Sequence, residues 1–179
     1  MTSEIGTYAP NFRWYAVWIR SRQEKAVATM LEALSVLHFL PLKSEVRQWS
    51  DRKQLVQVPL FSGYLFVQID PIHDNRLKVL KTPGVIGLVG NNTGPLPIPD
   101  QQIDSIRKVL SCGAQYTESP TLKAGDRVQV VRGALAGIEG TLLRTPSETR
   151  LIISVDMIQR SIVVDVSRQD IESVMIQAA

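Results

Sequence analysis

Helical periodicity ends at Pro120, and no other feature of the chain restricts its fold as much. Before that point, aromatic and β-branched runs alternate with stretches whose apolar residues recur every three or four positions. After it only short strand-like runs remain. Arg127-Val128-Gln129-Val130-Val131 alternates at period two, and Thr141-Leu142-Leu143, Arg150–Val155 and Ser161–Val166 follow. Gly125-Asp126 marks a turn, and Gly133, Gly137 and Gly140 punctuate a loop. Short strands without covering helices must dispose of their edges, which closure into a small barrel does. Ser111–Pro120 is polar, with Tyr116 its one large apolar residue. The expected organisation is an α+β domain over 13–111, a linker over 112–120 and a small all-β barrel over 121–175.

Within the first domain, Trp14–Arg20 reads as a strand. Ser21 offers an N-cap with Glu24 as capping-box partner, and Val27, Met30, Leu31 and Leu34 give an amphipathic helix reaching about Val36. Phe39–Leu42 reads as an edge strand, because Pro41 has no N–H to donate. Arg47–Gln54 forms the tip of a hairpin that returns through Leu55–Val58. Pro59–Val67 gathers three of the chain's eleven aromatics into a turn and a strand that continues to Ile69. A helix over Asp74–Lys81, a strand over Val85–Val89 and an extended Pro95–Pro99 follow. Asp100 caps a last helix through Leu110, with Ile103, Ile106, Val109 and Leu110 inward. The sum is an antiparallel sheet flanked by helices.

Composition narrows the function. The chain has 179 residues, 44% hydrophobic and 21% charged, with net charge +3. Residues 1–119 carry 13 Lys and Arg against 10 Asp and Glu, and residues 120–179 carry 7 against 7. The basic excess lies in the first domain, and a neutral barrel is a poor RNA binder. One cysteine, Cys112, excludes an internal disulfide and a cysteine-based zinc site. The start shows no secretory pattern and no apolar run is long enough to span a membrane, so a cytoplasmic protein is expected. His38 and His73 have no partners at metal-ligand spacing. There is no nucleophile motif or dinucleotide fingerprint, and Gly133-x-x-x-Gly137-x-x-Gly140 lacks the Lys-Ser/Thr of a phosphate cradle. The expectation is a protein that is not an enzyme and uses no cofactor and no metal.

Several motifs together carry a resemblance. Trp14-Tyr15-x-Val17, Glu24-Lys25, Pro59-Leu60-Phe61-Ser62-Gly63-Tyr64-Leu65-Phe66-Val67 and Thr82-Pro83-Gly84-Val85 resemble the N-terminal (NGN) domain of NusG-type transcription elongation factors. Gly125-Asp126-Arg127-Val128 with Gly133–Gly140 is similar to their C-terminal KOW domain, an SH3-like barrel. The hairpin run Arg47-Gln48-Trp49-Ser50-Asp51-Arg52-Lys53, close before Val58-Pro59-Leu60-Phe61, resembles the specialised UpxY-like and RfaH-like antitermination paralogues.

The resemblance implies an operon-specific, monomeric elongation and antitermination factor that suppresses pausing. Its N-terminal domain would bind the β′ clamp helices of RNA polymerase through Trp18, Phe61, Tyr64 and Phe66, with Leu88 at the margin. Packing of Trp18 and Phe66 against helices is the competing reading. Asn75 and Arg76 would reach the β gate loop, although the His-Thr-Thr pattern of one branch is missing. Arg20, Arg22, Gln23 and Lys25 would read the non-template DNA strand, or form a plain solvated helix start. Arg47, Arg52 and Lys53 would touch upstream DNA, or only keep the hairpin tip soluble. Leu135, Ile138, Met157 and Ile158 would recruit the ribosomal protein NusE or the termination factor Rho, or pack in the core. Ser62 stands where the family often has proline, which implies a looser turn. The β-branched density of Leu151–Val155 and Ile162–Val166 implies a barrel, not a helical hairpin. A general NusG, an RNA- or ribosome-binding KOW protein and a small enzyme are the rival classes.

Overall fold

The computed structural model describes residues 11–48, 52–71, 74–120, 125–144 and 149–174. Trp49 and His73 therefore lie outside the described residues. The N-terminal half runs β1 (Arg13–Ile19), α1 (Glu24–Ala33), β2 (His38–Phe39), β3 (Leu42–Gln48), β4 (Lys53–Pro59), β5 (Tyr64–Ile69), α2 (Asp74–Lys81), β6 (Val85–Leu88), β7 (Gly90–Asn91), β8 (Gly94–Pro95) and α3 (Asp100–Cys112). The C-terminal half adds β9 (Tyr116–Pro120), β10 (Arg127–Val130), β11 (Glu139–Arg144), β12 (Thr149–Val155), β13 (Arg160–Asp165) and β14 (Ile171–Ser173).

A four-stranded antiparallel sheet of order β2-β5-β1-β6 organises the first half. Successive side chains of a strand point to opposite faces. Tyr15, Val17 and Ile19 of β1, with Leu65 and Val67 of β5, therefore face Val27 and Leu31 of α1 and Val79 of α2. Trp14 and Ala16, with Phe66 of β5, face the other way, onto Ile103, Ile106 and Val109 of α3. The register pairs Ala16 with Phe66 and Trp18 with Tyr64, so all four sit on the α3 face. Arg107 of α3 lies 4.7 Å from the Trp14 ring centroid and 4.8 Å from that of Phe39, pinning the helix to this face. The β3–β4 hairpin projects as its own two-stranded sheet, paired from Leu42 with Pro59 to Gln48 with Lys53.

The C-terminal strands make one antiparallel sheet of order β14-β10-β11-β12-β13-β9. Gly140 sits where a Cβ would come 2.5 Å from the Ile152 carbonyl oxygen, so β11 and β12 approach too closely there for any other residue. The expected linker needs correction. Ser111 and Cys112 complete α3, Gly113 ends it in the left-handed conformation at φ 68°, and Tyr116–Pro120 pairs with β13. The polar composition of that stretch suits a strand whose backbone does the pairing. The two halves share one apolar core. Ile103, Ile106 and Val109 cluster with Ile138, Ile153, Val155 and Ile158.

The capping box also needs correction. α1 begins at Glu24 with no side-chain cap, because Arg22 turns the backbone at φ 66° and Ser21 faces solvent. The helix ends at Ala33, and Val36 is buried beyond it in the following loop.

Candidate functional site

The turn before β5 is held from three sides. The Ile19 amide donates to the Gly63 carbonyl at 2.8 Å, the Tyr64 amide to the Phe61 carbonyl at 3.1 Å, and the Gly63 amide to Glu24 Oε1 at 2.8 Å. Gly63 adopts φ 83°, a region that penalises side chains, which explains glycine here. Ser62 is exposed at its tip, and the turn is tied down rather than loose. Glu24 is only 4% exposed, so its bond to Gly63 replaces the expected capping role. We predict that Glu24→Ala costs about 1–3 kcal/mol, since it orphans a part-buried amide. Urea denaturation against wild type reads this directly, and an unchanged midpoint would exclude the bond's importance.

The aromatic set divides in two. Phe61 is 4% exposed and Phe66 fully buried; the rings of Phe66 and Phe39 stack at 6.2 Å, and Phe61 meets Phe66 edge-on at 6.3 Å. These two belong to the core in this conformation because α3 lands on their face. Trp18, by contrast, is 52% exposed on that same face, with partly buried Tyr64 opposite it across the ladder. Leu88 pairs with Val17 and packs with the α1–α2 core, so the register puts it on the other side of the sheet. It lines a small cleft with Arg76, Leu80 and Asn91. Asn75 and Arg76 stand in the first turn of α2, Arg76 exposed.

A groove of 660 Å³ opens between the start of α1 and the β3–β4 hairpin. One wall is Ser21, Arg22, Glu24 and Lys25; the other is Lys43, Glu45 and Arg47, with Ser62 and Pro59 between them. Four cations face two carboxylates, and Glu24 is already engaged by Gly63. Arg47 Nε donates to Glu45 Oε1 at 3.4 Å. Of the strand-to-helix set, Arg22 and Lys25 enter the groove; Arg20 and Gln23 are exposed beside it, and Gln23 folds over Gly84. Arg52 and Lys53 lie further out along the hairpin. Lys43 is an addition to the expected set. Its signal in the sequence is the period-two series Lys43, Glu45, Arg47, which puts all three on one face of β3.

Lys43 also ties the halves together. Its Nζ pairs with Glu118 of β9, and that hydrogen bond holds the ammonium above the ordinary lysine range. Gln102 of α3 donates to Asp156 Oδ2 at 2.9 Å and accepts from the Asp156 amide at 3.3 Å. Lys108 donates to the Ala136 carbonyl. These bonds frame the seam in which Ile138 and Ile158 are buried and Leu135 and Met157 partly buried. Of the two readings of these four residues, packing describes them in this conformation, since they cluster with Ile103, Ile106 and Val109 of α3.

No helix among the described residues is long and apolar enough to cross a membrane. Known proteins now give this geometry a context. Residues 12–107 match the family model described as transcription termination factor NusG. The transcription termination/antitermination protein NusG of Pseudomonas aeruginosa is 26% identical over 174 residues, covering 90% of this chain and 98% of that one. Its counterpart in Deinococcus radiodurans is 31% identical over 157 residues, covering 74% and 83%. A solved structure described as domain interaction in Thermotoga maritima NusG has the same fold, with TM-score 0.52, 22% identity and coverage of 92% and 98%. Sheet, helices and matches together define a transcription factor. The chain belongs to the NusG family.

Proposed function

We propose that this protein is a non-enzymatic elongation and antitermination factor that rides on RNA polymerase. The observation carrying this reading is Trp18, half exposed beside Tyr64 on a sheet face whose underlying aromatics are fixed by α3. A large aromatic held rigidly at the surface loses little entropy on binding, as interface hot spots require. The β′ clamp helices would rest on Trp18 and Tyr64, with Phe61 and Phe66 supporting them from beneath. Asn75 and Arg76 would face the β gate loop from the other side, with Leu88 beside them. The basic groove would hold the non-template strand between Arg22, Lys25, Lys43 and Arg47, with Arg20 and Gln23 at its edge. The cationic hairpin wall supports an operon-specific, UpxY-like or RfaH-like role.

The C-terminal sheet would be the KOW barrel. Its contacts to NusE or Rho, through Leu135, Ile138, Met157 and Ile158, would need the seam with α3 to open. The protein would act as a cytoplasmic monomer.

Capture of core RNA polymerase by wild-type protein and by Trp18→Ala combined with Tyr64→Ala tests this. Capture should fall about tenfold or more. The melting temperature should fall far less than for Phe66→Ala, because Trp18 is 52% exposed and Tyr64 only partly buried. Equal capture by a folded variant would remove the docking surface.

A further inference from the structure

On the sheet face opposite Trp18 and Tyr64, the last turns of α1 and α2 converge on a trough of 480 Å³. Met30, Ala33 and Leu34 form one wall, and Lys78, Lys81 and Pro83 the other. The exposed lining is almost wholly apolar, and Leu34 is 40% exposed. The Thr82 hydroxyl donates to the Lys78 carbonyl at 2.8 Å, so this wall's one hydroxyl is already satisfied. Neither Lys78 nor Lys81 makes an ion pair among the described residues, and no carboxylate lines the trough. Two helix C-termini contribute about half a negative charge each. Two ammonium groups outweigh them, so the rim keeps about one positive charge.

We infer that this trough docks an amphipathic helix of a partner protein, its apolar ridge flanked by acidic residues. A groove between two helices reads side chains at i, i+3 and i+4, which a helix supplies. A small ligand would need several convergent polar groups for orientation, and beyond the two rim ammonium groups and a hydroxyl already engaged the walls offer none. A second copy of this chain would bring like charges together across a two-fold axis. The trough and the Trp18 face lie on opposite sides of the sheet. A partner held here therefore leaves the proposed polymerase surface free, and the inference does not depend on that docking reading.

The test uses the full chain with labelled Met, Leu and Ala methyl groups. The probes are two synthetic helical peptides with the same leucine ridge, one flanked by Glu and one by Lys. The Glu peptide should shift the Met30, Ala33 and Leu34 methyls saturably, and the Lys peptide should not. Lys78→Glu with Lys81→Glu should weaken the Glu peptide about tenfold or more. Ala33→Trp fills the trough from an exposed position and should block binding while the melting temperature holds. Equal binding of both peptides, shifts confined to other surfaces, or no shifts would overturn the inference. So would self-association in sedimentation, or binding to phosphatidylserine vesicles, abolished by Ala33→Trp.

Discussion

Phe66→Ala should destabilise the folded chain by about 3–5 kcal/mol, the range for emptying a buried phenylalanine site. The ring is fully buried, stacked on Phe39 and edge-on to Phe61, with Ala16 opposite it on β1. A rigid sheet on one side and α3 on the other leave little room for collapse, which favours the upper part of that range. Domains of this kind have only about 5–15 kcal/mol in total. Phe66→Ala therefore tests folding, and any loss of polymerase capture it causes says nothing about contact. Phe66→Leu, closer in volume, should cost clearly less. Urea denaturation of both variants beside Trp18→Ala separates the cases. A midpoint for Phe66→Ala no lower than that of Trp18→Ala would mean the ring carries no packing load.

Arg22→Ala, Lys25→Ala and Arg47→Ala together should flatten the salt dependence of single-stranded DNA binding by about 2 in log–log slope. Each phosphate contact on a single strand contributes about 0.7 to that slope. Removing three such cations, extrapolated from 1 M to 0.1 M salt, weakens binding by about two decades. Fluorescence anisotropy with a labelled oligonucleotide across a salt series reads both quantities. An unchanged slope would mean that the groove does not face phosphate. Lys43 is kept out of this set because it also holds Glu118. Its raised pKa means that the pair's contribution is complete below the ordinary lysine value and is lost only as pH rises beyond it. At neutral pH the ammonium stays charged, and Lys43→Ala would disturb the seam as well as the groove.

Local chemistry is legible wherever it decides the outcome. Tyr64–Ile69 and Asp74–Lys81 form where density of aromatic and β-branched residues, and helical spacing, place them. Tyr116–Pro120 reads as a linker because its side chains carry no apolar alternation, although its backbone pairs with β13. Ser21-x-x-Glu24 matches a capping pattern, yet the positive φ of Arg22 swings the carboxylate inward to Gly63. Period two puts Tyr64 and Phe66 on one face, and the β1–β5 register brings Trp18 to the same face. It cannot tell that α3, thirty or more residues away in sequence, covers Phe66 and spares Trp18. Leu88 is misplaced for a similar reason, since only the β1–β6 register reveals its face.

Glu24 has a consequence beyond the stability of one turn. Its carboxylate is part of the groove wall and at the same time the acceptor for the amide that sets the Phe61–Tyr64 turn. One side chain is thus shared between the basic groove and the aromatic surface. Under the proposed function, an occupant of the groove that drew on this carboxylate would loosen the turn, and a partner that tightened the turn would withdraw the carboxylate from the groove. Linkage makes that exchange symmetric: each partner changes the other's affinity by the same factor. A buried acid at the head of a helix would then be the point where two binding equilibria meet.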